Sequence, residues 1–224
     1  MMIRKLFSWV KQIKEDKKMN SIMFFNDDSI EVKFLNQLKN EIVHREKLID
    51  QDIDTRKLVL VKGNSLCDCM IFAKILHDDL KEIGMEHNNE FVVMDPVFTS
   101  DYENSVDMIS YLDNRQVNIL IDNNDKISTD WFDYIFNLKT PDSKCRKKFI
   151  ENLLNYNEEL VDDYDKVVDK FVRLTDGLNY SLIDTIAEHV KRFAVVNDKK
   201  IDVVMIVDCV VDIKENHGIS HYWS

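Results

Sequence analysis

Three aspartates close three apolar runs: "VVMD" ends at Asp95, "ILID" at Asp122 and "MIVD" at Asp208, while "LVLVK" ends in Lys62. In open parallel sheets, ligands sit beyond the carboxyl ends of the strands. Carboxylates gathered there would hold Mg²⁺, a hard cation that prefers oxygen ligands, with Lys62 facing a phosphate. The chemistry of such a set is phosphoryl transfer or nucleotide handling. Aspartate also ends strands for a plainer reason, because it favours turns and caps helices.

The span "VLVKGNSLCDCMIFAKILHDDL", residues 59–80, holds a lysine–glycine turn and two near-adjacent cysteines. It lacks the second glycine and the lysine–hydroxyl pair with which a Walker-type loop wraps phosphates, and the chain has no G-x-G-x-x-G. A strand, one glycine and a helix start can still accept an anion. Residues two apart on a helix point to nearly opposite sides, so Cys67 and Cys69 cannot share a metal. Cys69 instead joins Leu66, Ala73, Leu76, Leu80 and Ile83 in one apolar stripe. Ser65 and Asp68 have the S-x-x-D spacing of a helix start.

Two further groups have chemical spacing. His217 and His221 lie four apart, which puts two imidazoles on one helical face, but no H-E-x-x-H pattern accompanies them. Cys145 is flanked by Lys144, Arg146, Lys147 and Lys148, a setting that would lower a thiol's pKa. No G-x-S-x-G elbow marks a serine nucleophile.

The elements that must position these residues follow from periodicity. Ile3, Leu6, Phe7, Val10 and Ile13 predict a short amphipathic helix with Lys11, Lys14, Lys17 and Lys18 on its polar side. A second helix starts at Ser29, with Leu35, Leu38, Ile42 and Ile49 inward. Then "KLVLVKG" is a predicted strand, followed by a helix to about Gly84. "EFVVMD" is a strand, "SDYENSVDMISYLDN" a helix with Ser100 and Glu103 as a capping box, "VNILID" a strand and "DWFDYIFNLK" a helix. This alternation implies parallel pairing with right-handed crossovers. After Thr140, with Pro141 at the first helical position, a helical stripe runs from Phe149 to Phe171, interrupted around Asn155–Asn157 and ended by Gly177. "YSLIDTIAEHVKRFAVV" fits a helix from Ser181 or two strands, and "KIDVVMIVDCVV" reads as a strand.

The expected fold is therefore α/β or α+β: a short parallel three-stranded core with flanking helices, then a helical segment and a C-terminal strand or hairpin. The expected parts are 1–20, a basic helix and linker; 21–140, the α/β core; and 141–224, the helical segment with its strand.

Composition narrows the function. The 224 residues carry a net charge of −11 and are 45% apolar, with four glycines, two prolines and four cysteines. The apolar content suits a globular core rather than disorder. The cysteine spacing matches neither a disulfide framework nor a zinc ribbon, so reduced thiols and a cytoplasmic location are expected. The acidic balance argues against nucleic acid, whose phosphates need clustered Lys and Arg. No apolar run reaches the roughly 20 residues of a membrane span. The basic start lacks a cleavage site and is expected to be retained, lying on an anionic membrane surface or serving self-association.

Two functions fit. The first is a non-enzymatic interaction protein without a cofactor, of inhibitor or immunity type, whose acidic surface meets a basic protein partner. The second is a Mg²⁺-dependent phosphoryl-transfer or nucleotide-handling enzyme built on Asp95, Asp122, Asp208 and Lys62.

Overall fold

Lys57–Gly63 forms strand β1, the middle member of a parallel sheet ordered β2-β1-β3. The structure, a computed structural model, describes residues 20–85, 117–122, 129–155 and 158–216. Strand β2 (Val117–Asp122) pairs with β1 from Lys57↔Val117 to Lys62↔Asp122. Strand β3 (Tyr134–Leu138) pairs on the other side, from Val59↔Tyr134 to Gly63↔Leu138. Val59, Leu60 and Val61 are fully buried and every residue of β2 is buried, as expected for parallel strands covered on both faces.

The chain divides into two compact units, Asn20–Lys139 and Thr140 onward. In the first, a 3₁₀ turn (Ser21–Phe24) precedes α1 (Ile30–Val43), α2 (Arg45–Ile49), β1 and α3 (Leu66–Glu82). The Ser29 side chain caps α1 by accepting from the Val32 N–H, and Ser65 caps α3 by accepting from the Asp68 N–H. Cys69, Phe72, Ala73, Leu76 and Leu80 step by three and four along α3 and are wholly buried. Phe72 is the hub of an aromatic cluster, its ring centroid 5.3 Å from each of Phe24, Phe25 and Phe136. The Asp79 carboxylate ties the entry of the unit to α3, accepting from the Ser21 N–H at 2.9 Å, the Ser21 hydroxyl at 2.6 Å and Lys39 Nζ at 2.9 Å.

The parallel three-stranded core with flanking helices is as expected, but its third strand comes from a different segment. "DWFDYIFNLK", expected as a helix, supplies β3. Tyr134, Phe136 and Leu138 point inward and Asn137 outward, the period-two alternation of a strand. A short apolar run satisfies both periods, and the open edge of β1 decides between them. Asp133 starts the pairing: Leu58 N–H donates to its Oδ2 at 2.8 Å, and its own N–H donates to the Leu58 carbonyl at 3.0 Å. The expected strand at 90–95, the helix after it, the basic helix of 1–20 and the His217/His221 pair lie outside the described residues. Ile49 leaves the expected stripe because α1 ends at Val43, and it is exposed in α2.

The second unit contains four α-helices among the described residues: α4 (Ser143–Asn155), α5 (Tyr164–Leu174), α6 (Tyr180–Val196) and α7 (Val203–Asn216). Short Asx side chains cap each of them. Asp142, Asp163, Asn179 and Asp202 accept from the N–H groups of Cys145, Lys166, Leu182 and Met205, the cheapest way to satisfy first-turn donors in a chain poor in glycine and proline. Phe149 meets Tyr180 edge to face at 5.0 Å in the core.

Two corrections fall here. Pro141 is not the first helical residue, because Asp142 is the cap and Ser143 begins α4. The expected C-terminal strand or hairpin is helix α7. Met205, Ile206, Val210 and Ile213 step by three and four into the core, so packing against α5 and α6 overrides the β preference of the valine run. Only Ile201 keeps a strand-like contact, an isolated parallel bridge to Val161. The ambiguous segment "YSLIDTIAEHVKRFAVV" is one helix, α6. Among the described residues no helix is long and apolar enough to cross a membrane.

Candidate functional site: the carboxyl rim of the sheet

Lys62 and Asp122 are register partners on adjacent parallel strands, at their carboxyl ends. The Asp122 side chain is almost entirely buried at 1% exposure, and Lys62 is half-buried. Past Lys62 the chain turns through Gly63 and Asn64 into Ser65, which caps α3. The first turn of α3 then carries a second buried carboxylate, Asp68, at 5% exposure. This is the place where a parallel sheet collects ligand-binding groups.

The sulfur of Cys69 is buried behind this rim. Burial first, and then the carboxylates of Asp68 and Asp122, together push its thiol up to about 12. The two acids therefore act on one buried sulfur from helix and strand. Gly63 closes the corner: a Cβ there would stand 3.0 Å from Cys69 Sγ and 3.0 Å from the Leu138 carbonyl oxygen. Only a residue without a side chain lets β1, β3 and α3 approach so tightly.

Cys67 is half-buried, and its thiol is also raised, by burial and then by Asp68. A thiol held protonated is a poor nucleophile. The electropositive reading of Cys145 is overturned on the same ground. Its side chain faces the core of the second unit, and burial, followed by Asp142, pushes the thiol up to about 11. Its neighbour Arg146 also turns inward, donating to the Pro141 carbonyl at 2.8 Å and pairing with Asp176 at 2.7 Å.

Of the four residues whose spacing suggested a cation and phosphate site, Lys62 and Asp122 come together. Asp95 lies outside the described residues. Asp208 ends no strand; it sits on the exposed side of α7 in the helical unit. Asp68 joins the rim unannounced, because its S-x-x-D spacing explains it as a helix start. The signal that was available is the carboxylate's place inside "CDCMIFA", where Asp68 to Ala73 are all buried.

Among the described residues no three His, Cys, Asp or Glu side chains are grouped to hold a metal ion. Mg²⁺ needs fewer, since it keeps several waters and takes one or two carboxylates plus substrate phosphates. Asp68 and Asp122 supply that number. No protein-family profile matches the chain, and no curated protein matches it.

Proposed function

We propose that the chain is a cytoplasmic enzyme that handles a phosphorylated small molecule of the nucleotide class at the carboxyl rim of its parallel sheet, with Mg²⁺. Asp122 and Asp68 hold the cation, and Lys62 faces the phosphate. The single observation that supports this is the side-by-side register of Lys62 and the buried Asp122 at the end of the central strand pair. Burying a carboxylate is expensive, and two buried ones, Asp122 at the end of β2 and Asp68 at the start of α3, with Lys62 on the neighbouring strand, make a place where a divalent cation and an anion are both favoured. The start of α3 adds the positive end of a helix dipole next to Lys62. Asp208 has no part in this assignment.

Thermal unfolding with Mg²⁺, nucleotides and both together tests the reading. A ligand present at about a hundred times its Kd adds roughly 2.7 kcal/mol to the native state. The wild type is expected to melt several degrees higher with Mg²⁺ and one nucleotide class. Asp122→Asn is expected to lose that shift, and Asp208→Asn to keep it. A panel that leaves the melting temperature unmoved removes the proposal.

The charge of −11 supports a second reading: a non-enzymatic protein whose acidic surface takes a basic protein partner, as an inhibitor or immunity-type protein does. Binding that weakens steeply between low and physiological salt supports it; binding indifferent to salt counts against it.

A further inference from the structure

Lys62 has a register partner on each side, Asp122 on β2 and Asn137 on β3. Register partners in a parallel sheet direct their side chains to the same face, because successive residues alternate along every strand. Asp122, Lys62 and Asn137 therefore form one row across the carboxyl end of the sheet. The row is about 10 Å long, two steps of roughly 4.8 Å between neighbouring strands. It runs from dry to wet: Asp122 is 1% exposed, Lys62 is half-buried and Asn137 is exposed.

Asparagine is a poor choice for the strand itself. It is depleted in strands, where an exposed position with no other duty is better filled by threonine, and here it interrupts an otherwise apolar β3. Its amide offers two donors and an acceptor oxygen without charge, which suits hydroxyl, carbonyl and ring-nitrogen atoms better than a phosphate. The order of the row orients a ligand. Its charged end lies against Asp122 and Lys62, and its uncharged end extends towards solvent over β3. Building on the phosphate site proposed for Lys62 and Asp122, on which this assignment rests, we infer that Asn137 is the specificity residue of the rim, hydrogen-bonding the nucleoside part of the nucleotide.

Titration calorimetry of the full chain tests this, with Mg²⁺ and each of ATP, GTP, CTP and UTP, and with Mg²⁺ and inorganic tripolyphosphate, which lacks the nucleoside. The wild type is expected to bind one nucleotide more tightly than tripolyphosphate. Asn137→Ala is expected to weaken that nucleotide by about tenfold, the loss of one or two hydrogen bonds, and to leave tripolyphosphate unchanged. Asn137→Gln keeps the amide one methylene further out and is expected to recover part of the nucleotide affinity. Lys62→Ala is expected to weaken both probes together. Circular dichroism and the ligand-free melting temperature of both residue-137 variants are expected to match the wild type, since the position is exposed. A wild type that binds no nucleotide better than tripolyphosphate, or an Asn137→Ala chain that weakens both probes equally or neither, overturns the role of Asn137 while the phosphate site stands. A wild type that binds neither probe removes the phosphate site and this role with it.

Discussion

The Cys69 thiol, buried and raised further by the Asp68 and Asp122 carboxylates, sets the pH response of the rim at the scale of single residues. Its pKa of about 12 lies above the ordinary thiol value of 9.0, and that of Cys145 is about 11. A group that ionises later in the native state than in the unfolded chain stabilises fully below the unfolded value, and this contribution is lost as pH rises through the folded one. The first unit is therefore expected to lose stability as pH climbs from about 9 towards 12, and Cys69→Ala to flatten that decline in pH-dependent urea melts. A thiol reagent at neutral pH is expected to label the half-buried Cys67 and Cys209 in the native state, and Cys69 and Cys145 only as the protein unfolds. Gly63→Ala forces a methyl against a backbone carbonyl and a buried sulfur; a loss of about 1–3 kcal/mol is expected in denaturant titration. The pairing of Lys62 with Asp122 was legible because both close apolar runs. Asp68 was not, because one residue serves here as both helix start and buried acid, and spacing reports only the first role.

At the scale of elements, caps and periodicity carried most of the reading, and short β-branched or aromatic runs defeated it. Ser29 and Ser65 announced α1 and α3 because a hydroxyl before an apolar stripe has one economical use. The valine run of α7 looked like a strand because intrinsic preference outweighed a cap, Asp202, hidden among polar neighbours. In the fold Asp202 accepts from Met205 at 2.8 Å, and Ile206 and Val210 reach the core. Asp202→Ala is accordingly expected to lower stability by about 1 kcal/mol, read by thermal melts, and Asp142→Ala to do the same for α4. Strand β3 was misread for the converse reason. Five residues cannot separate a helical from an extended period, and the choice rests on Asp133 and the edge of β1, partners 75 positions away that spacing does not reveal.

At the scale of the whole molecule, a net charge of −11 spread over one chain repels itself. Raising ionic strength from about 10 to 150 mM shortens the screening length from about 30 to 8 Å. The melting temperature is therefore expected to rise with added salt before any ligand is present. A flat response would show that the acids are already neutralised locally. The middle strand has a longer-range consequence. Both neighbours of β1 lie later in the chain, starting at Val117 and Tyr134, so during synthesis its two open edges emerge well before anything that can close them. Until then Lys57–Gly63 is a ready template for another chain's backbone. Slowing translation just after residue 63 should raise aggregation of the nascent protein, and the same pause placed after residue 140 should not.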